Sequence, residues 1–388
     1  MPPKNFTIGV LGAGQLSRML LEAAAKRSLR AAFFDEALQS PAVAARTGAQ
    51  HFRGKLSDAA ALRDFLGQTE TVVFENEFVD CDALAATAQG LSVRFAPGLD
   101  AIRTLQDKWK QKQILNQLGI PSARAFEVRE LGASPGSLDR VFKWSRQGYD
   151  GKGVLIRPRD SQRLADFIRE GQSRGGIVFA EECVEFQREL ALVACRTPRE
   201  FKAYPLVVSG QANGICQYVV GPARDLEVPA AIEVQAKEQA RALGDALDLR
   251  GCFAIEFFWS PGRLLVNEIA PRVHNSGHYT MDVCPAGQFE NHLLGALGEP
   301  LGETEPTSAF FMWNLLGPIG SAGAAASSDL PPLPRAEAKL HWYDKEALRG
   351  GRKMGHIHLD LSQAVEGEGL RREFEAWDRQ WAARVISH

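Results

Sequence analysis

In FTIGVLGAGQLSRMLLEAAAKRSLRAAFFDE (6–36), an apolar run, a glycine turn, a stretch with apolar residues at helical spacing and a second apolar run follow one another. That order predicts strand, turn, amphipathic helix and strand. A helical stretch, SDAAALRDFLGQ (57–68), and a strand ending VVFENE (72–77) continue the alternation, which implies a parallel, doubly wound sheet. APG (96–98) interrupts it, and a boundary is placed near Pro97. One charged helix is expected through LQDKWKQKQILNQL (105–118), stopped by GIP (119–121).

Next, RVFKWS (140–145) and GVLIRP (153–158) read as strands joined by the glycine-rich QGYDGKG (147–153). A helix, SQRLADFIREG (161–171), and a strand, GIVFAEECV (176–184), complete a small α+β lid. RELALVACR (188–196) and FKAYPLVVS (201–209) read as antiparallel strands, and AAIEVQAKEQARALGDAL (230–247) as a long helix. GCFAIEFFWSPGRLLVNEIA (251–270) is a hairpin turning at SPGR (260–263). SAGAAASSDLPPLPRAE (321–337) reads as an exposed connection, and EFEAWDRQW (373–381) as a helix whose tryptophans pack on the body.

The fold class expected is therefore α/β and α+β: an N-terminal doubly wound parallel sheet (1–97), a linker helix with the lid (98–180), and a larger, mostly antiparallel α+β domain (181–388). A length of 388 residues fits two or three domains. With 24% charged residues and a net charge of −2, nothing marks a nucleic-acid or membrane partner, so small charged metabolites are expected. No export segment opens the chain and no apolar run is long enough to span a bilayer, which points to the cytoplasm. The six cysteines form no CxxC pair and read as reduced, mostly buried thiols.

Gly12 and Gly14 begin a GxGxxG in which Ser17 replaces the third glycine, and Asp35 ends the next strand. A nicotinamide site and a plain packing turn both fit that fragment. QGYDGKG alone fits an ordinary turn, a solvated loop or a lid whose backbone N–H groups wrap an anion. Glu256 and Glu268 lie on the two hairpin strands, and opposed carboxylates suit Mg2+. A two-residue loop at Pro261 and Gly262 sets Glu256 opposite Asn267, whereas an odd loop sets it opposite Glu268; the odd loop is expected. Lys108 and Lys143 are phosphate candidates, and Glu181 or Glu182 can accept from a ribose hydroxyl or an adenine amine, with Cys183 and Val184 offering backbone groups to the ring. APRVHNSGHYT (270–280) concentrates Arg272, His274, Asn275, Ser276 and His278, while Lys345, Arg352 and Lys353 are spaced to converge on a phosphate monoester. Solvated charge is the competing account for each of these groups.

GAGQLSRM, GIP, GYDGKG, RELALV, NEIAPRVHNSGHYT, QFENHL, NLLG and HWYDKE followed by GRKMGH give the chain, over almost its whole length, the pattern of a known family. It resembles the N5-carboxyaminoimidazole ribonucleotide synthetases of purine biosynthesis, which are ATP-grasp enzymes. The resemblance implies ATP-dependent carboxylation of 5-aminoimidazole ribonucleotide by bicarbonate through carboxyphosphate, with ADP and phosphate released. It implies ATP and Mg2+, with Mn2+ as a substitute, the metal sitting on Glu256 and Glu268. The nucleotide set it implies is Lys108, Lys143, Gly148, Tyr149, Asp150, Gly151, Lys152, Gly153, Glu181, Glu182, Cys183, Val184, Glu189, Asn267 and Glu268. Tyr149, Asp150, Arg272, His274, Asn275 and Ser276 are carried over to the imidazole ribonucleotide, with Lys345, Arg352 and Lys353 toward its phosphate. Asp150, His274 or Lys353 moves the amine proton beside Arg272, and residue type alone does not choose among them.

A homodimer is also implied. The chain departs from the family pattern at GQANG (210–214), which leaves a contact of Gln211 with ATP open, at WSRQ (144–147) and at FENEF (74–78). Rival readings are a formate-dependent glycinamide ribonucleotide transformylase, a non-catalytic nucleotide-binding regulator and an NAD-dependent oxidoreductase.

Overall fold

The computed structural model describes residues 4–36, 47–128, 138–148, 151–319, 330–345, 347–363 and 368–386. β1 (Phe6–Leu11), β2 (Ala31–Asp35), β3 (Gln50–Arg53), β4 (Thr69–Phe74) and β5 (Arg94–Ala96) form a five-stranded sheet in the order β3-β2-β1-β4-β5. Every pairing is parallel, because helices such as Gln15–Lys26 and Ala59–Gln68 return the chain between strands. Asp58 and Asp80 start two helices by accepting from backbone N–H groups. The short, polar β3 carries no apolar signal and was not expected.

The charged helix expected over 105–118 is present as Lys108–Gln117, and a separate helix, Leu99–Leu105, precedes it. Asp107 separates them, its carboxylate accepting from the N–H groups of Trp109 and Lys110. This N-cap restarts the helix and makes Lys108 its first residue.

β6 (Ala125–Glu127), β7 (Val141–Trp144), β8 (Val154–Ile156) and β9 (Val178–Glu181) form the antiparallel lid sheet, ordered β6-β9-β7-β8. The helix Ser161–Ser173 lays Leu164, Phe167 and Ile168 against Phe142, Trp144 and Leu155.

The remaining strands are β10 (Arg188–Arg196), β11 (Phe201–Ala203), β12 (Val207–Ala212), β13 (Ile215–Gly221), β14 (Gly251–Ser260), β15 (Arg263–Ala270), β16 (Ala309–Leu316), β17 (Lys339–Trp342) and β18 (Lys353–Leu361). They build one antiparallel sheet, β15-β14-β10-β12-β13-β16-β18-β17, with β11 added beside β10. FKAYPLVVS is thus two strands, parted around Pro205, which lacks the N–H that a ladder needs. β10 is buried on both faces. Leu190, Leu192 and Ala194 join the core under the helix Ala230–Ala246, while Ala191 and Val193 join a second core with Leu293 and, from the N-terminal sheet, Ile8 and Val10.

The C-terminal helix Glu368–Ile386 buries Phe374, Trp377 and Trp381 on the first core, as expected. The described part of the connection 321–337 bears out its reading as exposed only in part: Pro332, Ala336 and Glu337 are exposed, the other residues less so. Pro331 is buried, and the Pro332 carbonyl accepts from Trp377 Nε1 at 2.8 Å. Residues 321–329 lie outside the described residues. The expectation of six reduced thiols also fails: Cys195 on β10 stands opposite Cys252 on β14, and the two are joined by a disulfide. The partners are 57 residues apart, so only the strand register reveals them. Among the described residues, no helix is long and apolar enough to cross a membrane.

Candidate active site

A cavity of about 1220 Å3 runs between the lid and the large sheet. On its floor β14 and β15 pair from Ser260 opposite Arg263 to Phe257 opposite Val266, so the loop is Pro261 and Gly262 alone, not the odd loop expected. The ladder then slips by one residue, and Glu256 pairs with Glu268. A β-bulge, rather than the turn, supplies the extra residue. Its consequence is that consecutive residues Asn267 and Glu268 both line the cavity, where a regular strand would send one of them to the opposite face.

Around this floor the cations are ordered by acids. Lys108 Nζ lies 2.6 Å from Glu268 Oε2. Lys143 Nζ donates to Asn267 Oδ1 at 3.0 Å and pairs with Glu181 Oε2 at 2.8 Å. Lys112, not singled out in the sequence, meets the other Glu181 oxygen at 2.8 Å. Burial opposes the charge on Glu181, but Lys143 and Lys112 outweigh it and hold the carboxyl below its usual range. Glu181, which lines the cavity, thus anchors two lysines. Glu182, Cys183 and Val184 line the cavity beside it, and so does Glu189, whose carboxyl burial and the charge of Glu256 push up to about 7.

The lid loop closes over this floor with Gly148, Gly151 and Lys152 lining the cavity. Gly151 and Gly153 both take φ of 75°, and a Cβ on Gly153 would come within 2.7 Å of the Trp144 ring. The β12–β13 turn meets the loop: the Asn213 carbonyl lies 2.5 Å from where a Gly151 Cβ would stand. Gln211 lines the same wall and donates to Ser209 Oγ at 3.4 Å. Tyr149 and Asp150 lie outside the described residues.

At the other end the cavity is lined by Arg272, His274, Asn275 and Lys353. Glu77, unassigned from sequence, grips Arg272 with 2.5 Å between Oε2 and Nε. His274 Nδ1 lies 2.9 Å from Ser276 Oγ and accepts from the Ser276 N–H at 3.3 Å, which leaves Nε2 to carry the ring proton, 3.7 Å from Glu256 Oε1. Burial, with Arg272 and Lys353 nearby, holds this imidazole well below its usual pKa. Asn275 and Asn314 exchange amide hydrogen bonds at 2.8 Å. Lys345 donates to the Lys353 carbonyl at 2.5 Å and Arg352 to the Ala347 carbonyl at 3.3 Å. These two sit beside Lys353 without lining the cavity. Ser276 is buried behind His274.

The glycine turn of the N-terminal sheet is a different place. Glu75 accepts from the Gly14 N–H at 2.6 Å, and a Cβ on Gly14 would fall 2.1 Å from its Oε1. A protein carboxylate thus stands where a dinucleotide would need its pyrophosphate. The two acids of FENEF accordingly serve the turn (Glu75) and Arg272 (Glu77).

Three family descriptions match the chain in order: a ribonucleotide synthetase preATP-grasp domain over residues 5–106, an ATP-grasp domain over 114–289, and a phosphoribosylaminoimidazole carboxylase C-terminal domain over 311–366. The N5-carboxyaminoimidazole ribonucleotide synthase of Synechocystis sp. is 36% identical over 381 residues, 95% of either chain. That of Synechococcus elongatus is 37% identical over 371 residues, 93% of this chain and 91% of its own. The crystal structure of an Aspergillus clavatus N5-carboxyaminoimidazole synthase in complex with ADP and 5-aminoimidazole ribonucleotide matches with a TM-score of 0.81 at 32% identity, covering 97% of this chain and 99% of that one. The chain, an ATP-grasp fold with its grasp built on the bulged hairpin, belongs to the N5-carboxyaminoimidazole ribonucleotide synthase family.

Proposed function

We propose that this chain carboxylates the exocyclic amine of 5-aminoimidazole ribonucleotide, using ATP and bicarbonate and releasing ADP and phosphate. The observation that carries the reading is one cavity with opposed Glu256 and Glu268 beside Lys108 and Lys143 at one end, and Arg272, His274 and Lys353 at the other. The first end suits a metal-bound triphosphate, the second a phosphorylated, hydrogen-bonding substrate.

Lys108 and Lys143 receive the phosphates under the glycine loop, and Glu182 to Val184 with Glu189 and Gln211 receive the nucleoside. Mg2+, or Mn2+ in its place, fits Glu256, Glu268 and the Asn267 amide as an all-oxygen donor set. Glu189, raised mainly by burial and further by the charge of Glu256, adds a third carboxyl beside the pair, and this acid-rich wall supports that fit. When bound, the ion neutralises charge on the transferring phosphoryl group. Bicarbonate oxygen attacks the γ-phosphorus, the bond to ADP breaks, and carboxyphosphate forms; it releases carbon dioxide and phosphate, the amine nitrogen bonds to carbon, and one amine proton leaves. The closed lid excludes the water that would compete.

His274 is held neutral with its proton on Nε2, which favours it as a donor to substrate, and Lys353, whose positive charge helps to hold it neutral, has no lone pair to take a proton, so Asp150 is the better acceptor for the amine proton. Arg272, Asn275 and Tyr149 orient the imidazole ribonucleotide, and Lys345, Arg352 and Lys353 serve its phosphate. The organisation 1–97, 98–180 and 181–388, a cytoplasmic location and a homodimer belong to the same reading, the last checked by sedimentation.

Phosphate release from ATP tests the function. Stimulation by aminoimidazole ribonucleotide plus bicarbonate is expected; stimulation by glycinamide ribonucleotide plus formate instead, or ligand binding without turnover, overturns it.

A further inference from the structure

Away from the cavity, the ribbon of β17 and β18 gathers histidines on one face. His341 pairs directly with His356 across the ladder, and His358 follows two residues later on the same face. The short helix Thr280–Val283 presents Asp282 to them. Asp282 Oδ2 lies 2.9 Å from His341 Nε2 and 4.0 Å from His358 Nδ1. Ligating atoms of Asp282, His341 and His356 all fall within 4.8 Å of one another. The other Asp282 oxygen is faced by Lys339 at 3.9 Å, which leaves Oδ2 to the histidines.

We propose that Asp282, His341 and His356 bind a divalent transition-metal ion of the zinc class, which ties the C-terminal ribbon to the body of the ATP-grasp domain. Two nitrogens and one carboxylate oxygen are the donor set such an ion takes, with bonds of about 2.0–2.2 Å. The three ligating atoms, within 4.8 Å of one another, converge on one such ion after small turns of the stacked His341 and His356 rings. His356 Nδ1 is engaged by the Tyr343 hydroxyl at 2.8 Å, the outer hydrogen bond that orients a ligating imidazole and leaves its Nε2 lone pair for the metal.

A purely hydrogen-bonded network accounts for less. His356 and His358 are both fully buried, yet His356 Nε2 and His358 Nδ1 have no hydrogen-bond partner, a rare condition for buried polar atoms. A cation in this position accounts for the first, and His358 stands beside it, its Nδ1 4.0 Å from Asp282 Oδ2. His341, 28% exposed in its side chain, opens the entry path.

The test uses untagged full-length protein, stripped with chelator and titrated with Co2+ in excess Mg2+, so that the hairpin carboxylates are occupied. One equivalent of Co2+ is expected to give an intense visible d–d band, displaced by one equivalent of Zn2+. His341→Ala, at a half-buried position, should weaken binding on the order of 100-fold, while Glu268→Gln leaves the band unchanged. A wild-type protein without the band at one equivalent overturns the proposal. So does a band lost in Glu268→Gln and retained in His341→Ala.

Discussion

Glu256 faces Glu268 across the hairpin only because Asn267 is bulged out of the ladder between Val266 and Glu268. The pair therefore rests on backbone irregularity, and Asn267 gains a second task as the acceptor for Lys143. Glu268→Gln should lower kcat by at least about 100-fold, since charge stabilisation at the transferring group is lost. The isosteric amide keeps the fold, so an unchanged circular dichroism spectrum is the control. Near-normal steady-state turnover, with no rise in the Mg2+ concentration needed, would remove Glu268 from the metal site.

Lys112 makes a prediction about stability rather than chemistry. It does not line the cavity, yet its ammonium and that of Lys143 share one buried carboxylate. Lys112→Met should destabilise the protein by roughly 3 kcal/mol, read from urea unfolding, because a buried pair loses one partner. The loss should be at its full value above the carboxyl's ordinary pKa of 4.5 and shrink as pH falls below it. Stability conferred on Glu181 by its lysines is present above the carboxyl's ordinary pKa of 4.5 and fades as pH falls through its lower folded value.

What sequence pattern could and could not deliver is visible at these same residues. Parallel alternation, the lid and the hairpin follow from short-range periodicity and turn residues, and they were legible. The bulge was not, because a two-residue turn and a slip four positions later produce the same pairing as an odd turn. Lys112 reads as one more charge on a polar helix until β9 brings Glu181 to it. Glu75 and Glu77 lie two residues apart in FENEF but serve Gly14 and Arg272, contacts 61 and 195 residues away in sequence. Cys195 and Cys252 meet by register in the same way.

Glu77 should govern the second substrate. Its carboxylate holds the Arg272 guanidinium at 2.5 Å and through a second contact at 3.3 Å, so Arg272 is aimed before substrate arrives. Glu77→Gln keeps a hydrogen-bond acceptor but removes the charge. The KM for aminoimidazole ribonucleotide is expected to rise about 10-fold or more, consistent with the loss of a charge-assisted bond of ~1.5–3 kcal/mol, with the KM for ATP nearly unchanged. Equal increases in both constants would place Arg272 with the nucleotide instead.

Glu189 makes the ligand-free protein sensitive to pH. Burial and the neighbouring Glu256 raise its carboxyl from 4.5 to about 7, so the folded state binds a proton that the unfolded chain has already released. A raised pKa contributes stability that is fully present below pH 4.5 and is lost as pH rises through about 7. The ligand-free enzyme should therefore lose up to about 3 kcal/mol across that window from this group alone. Glu189→Gln stays neutral throughout and should flatten the decline, which urea midpoints measured from pH 5 to 8 on both proteins will show. The difference should shrink in saturating Mg-ADP, because a divalent cation near Glu256 reduces the repulsion that raises Glu189. Parallel pH curves for the two proteins would mean that Glu189 is ionised in the folded state at every pH tested, and that Glu256 exerts no measurable field on it.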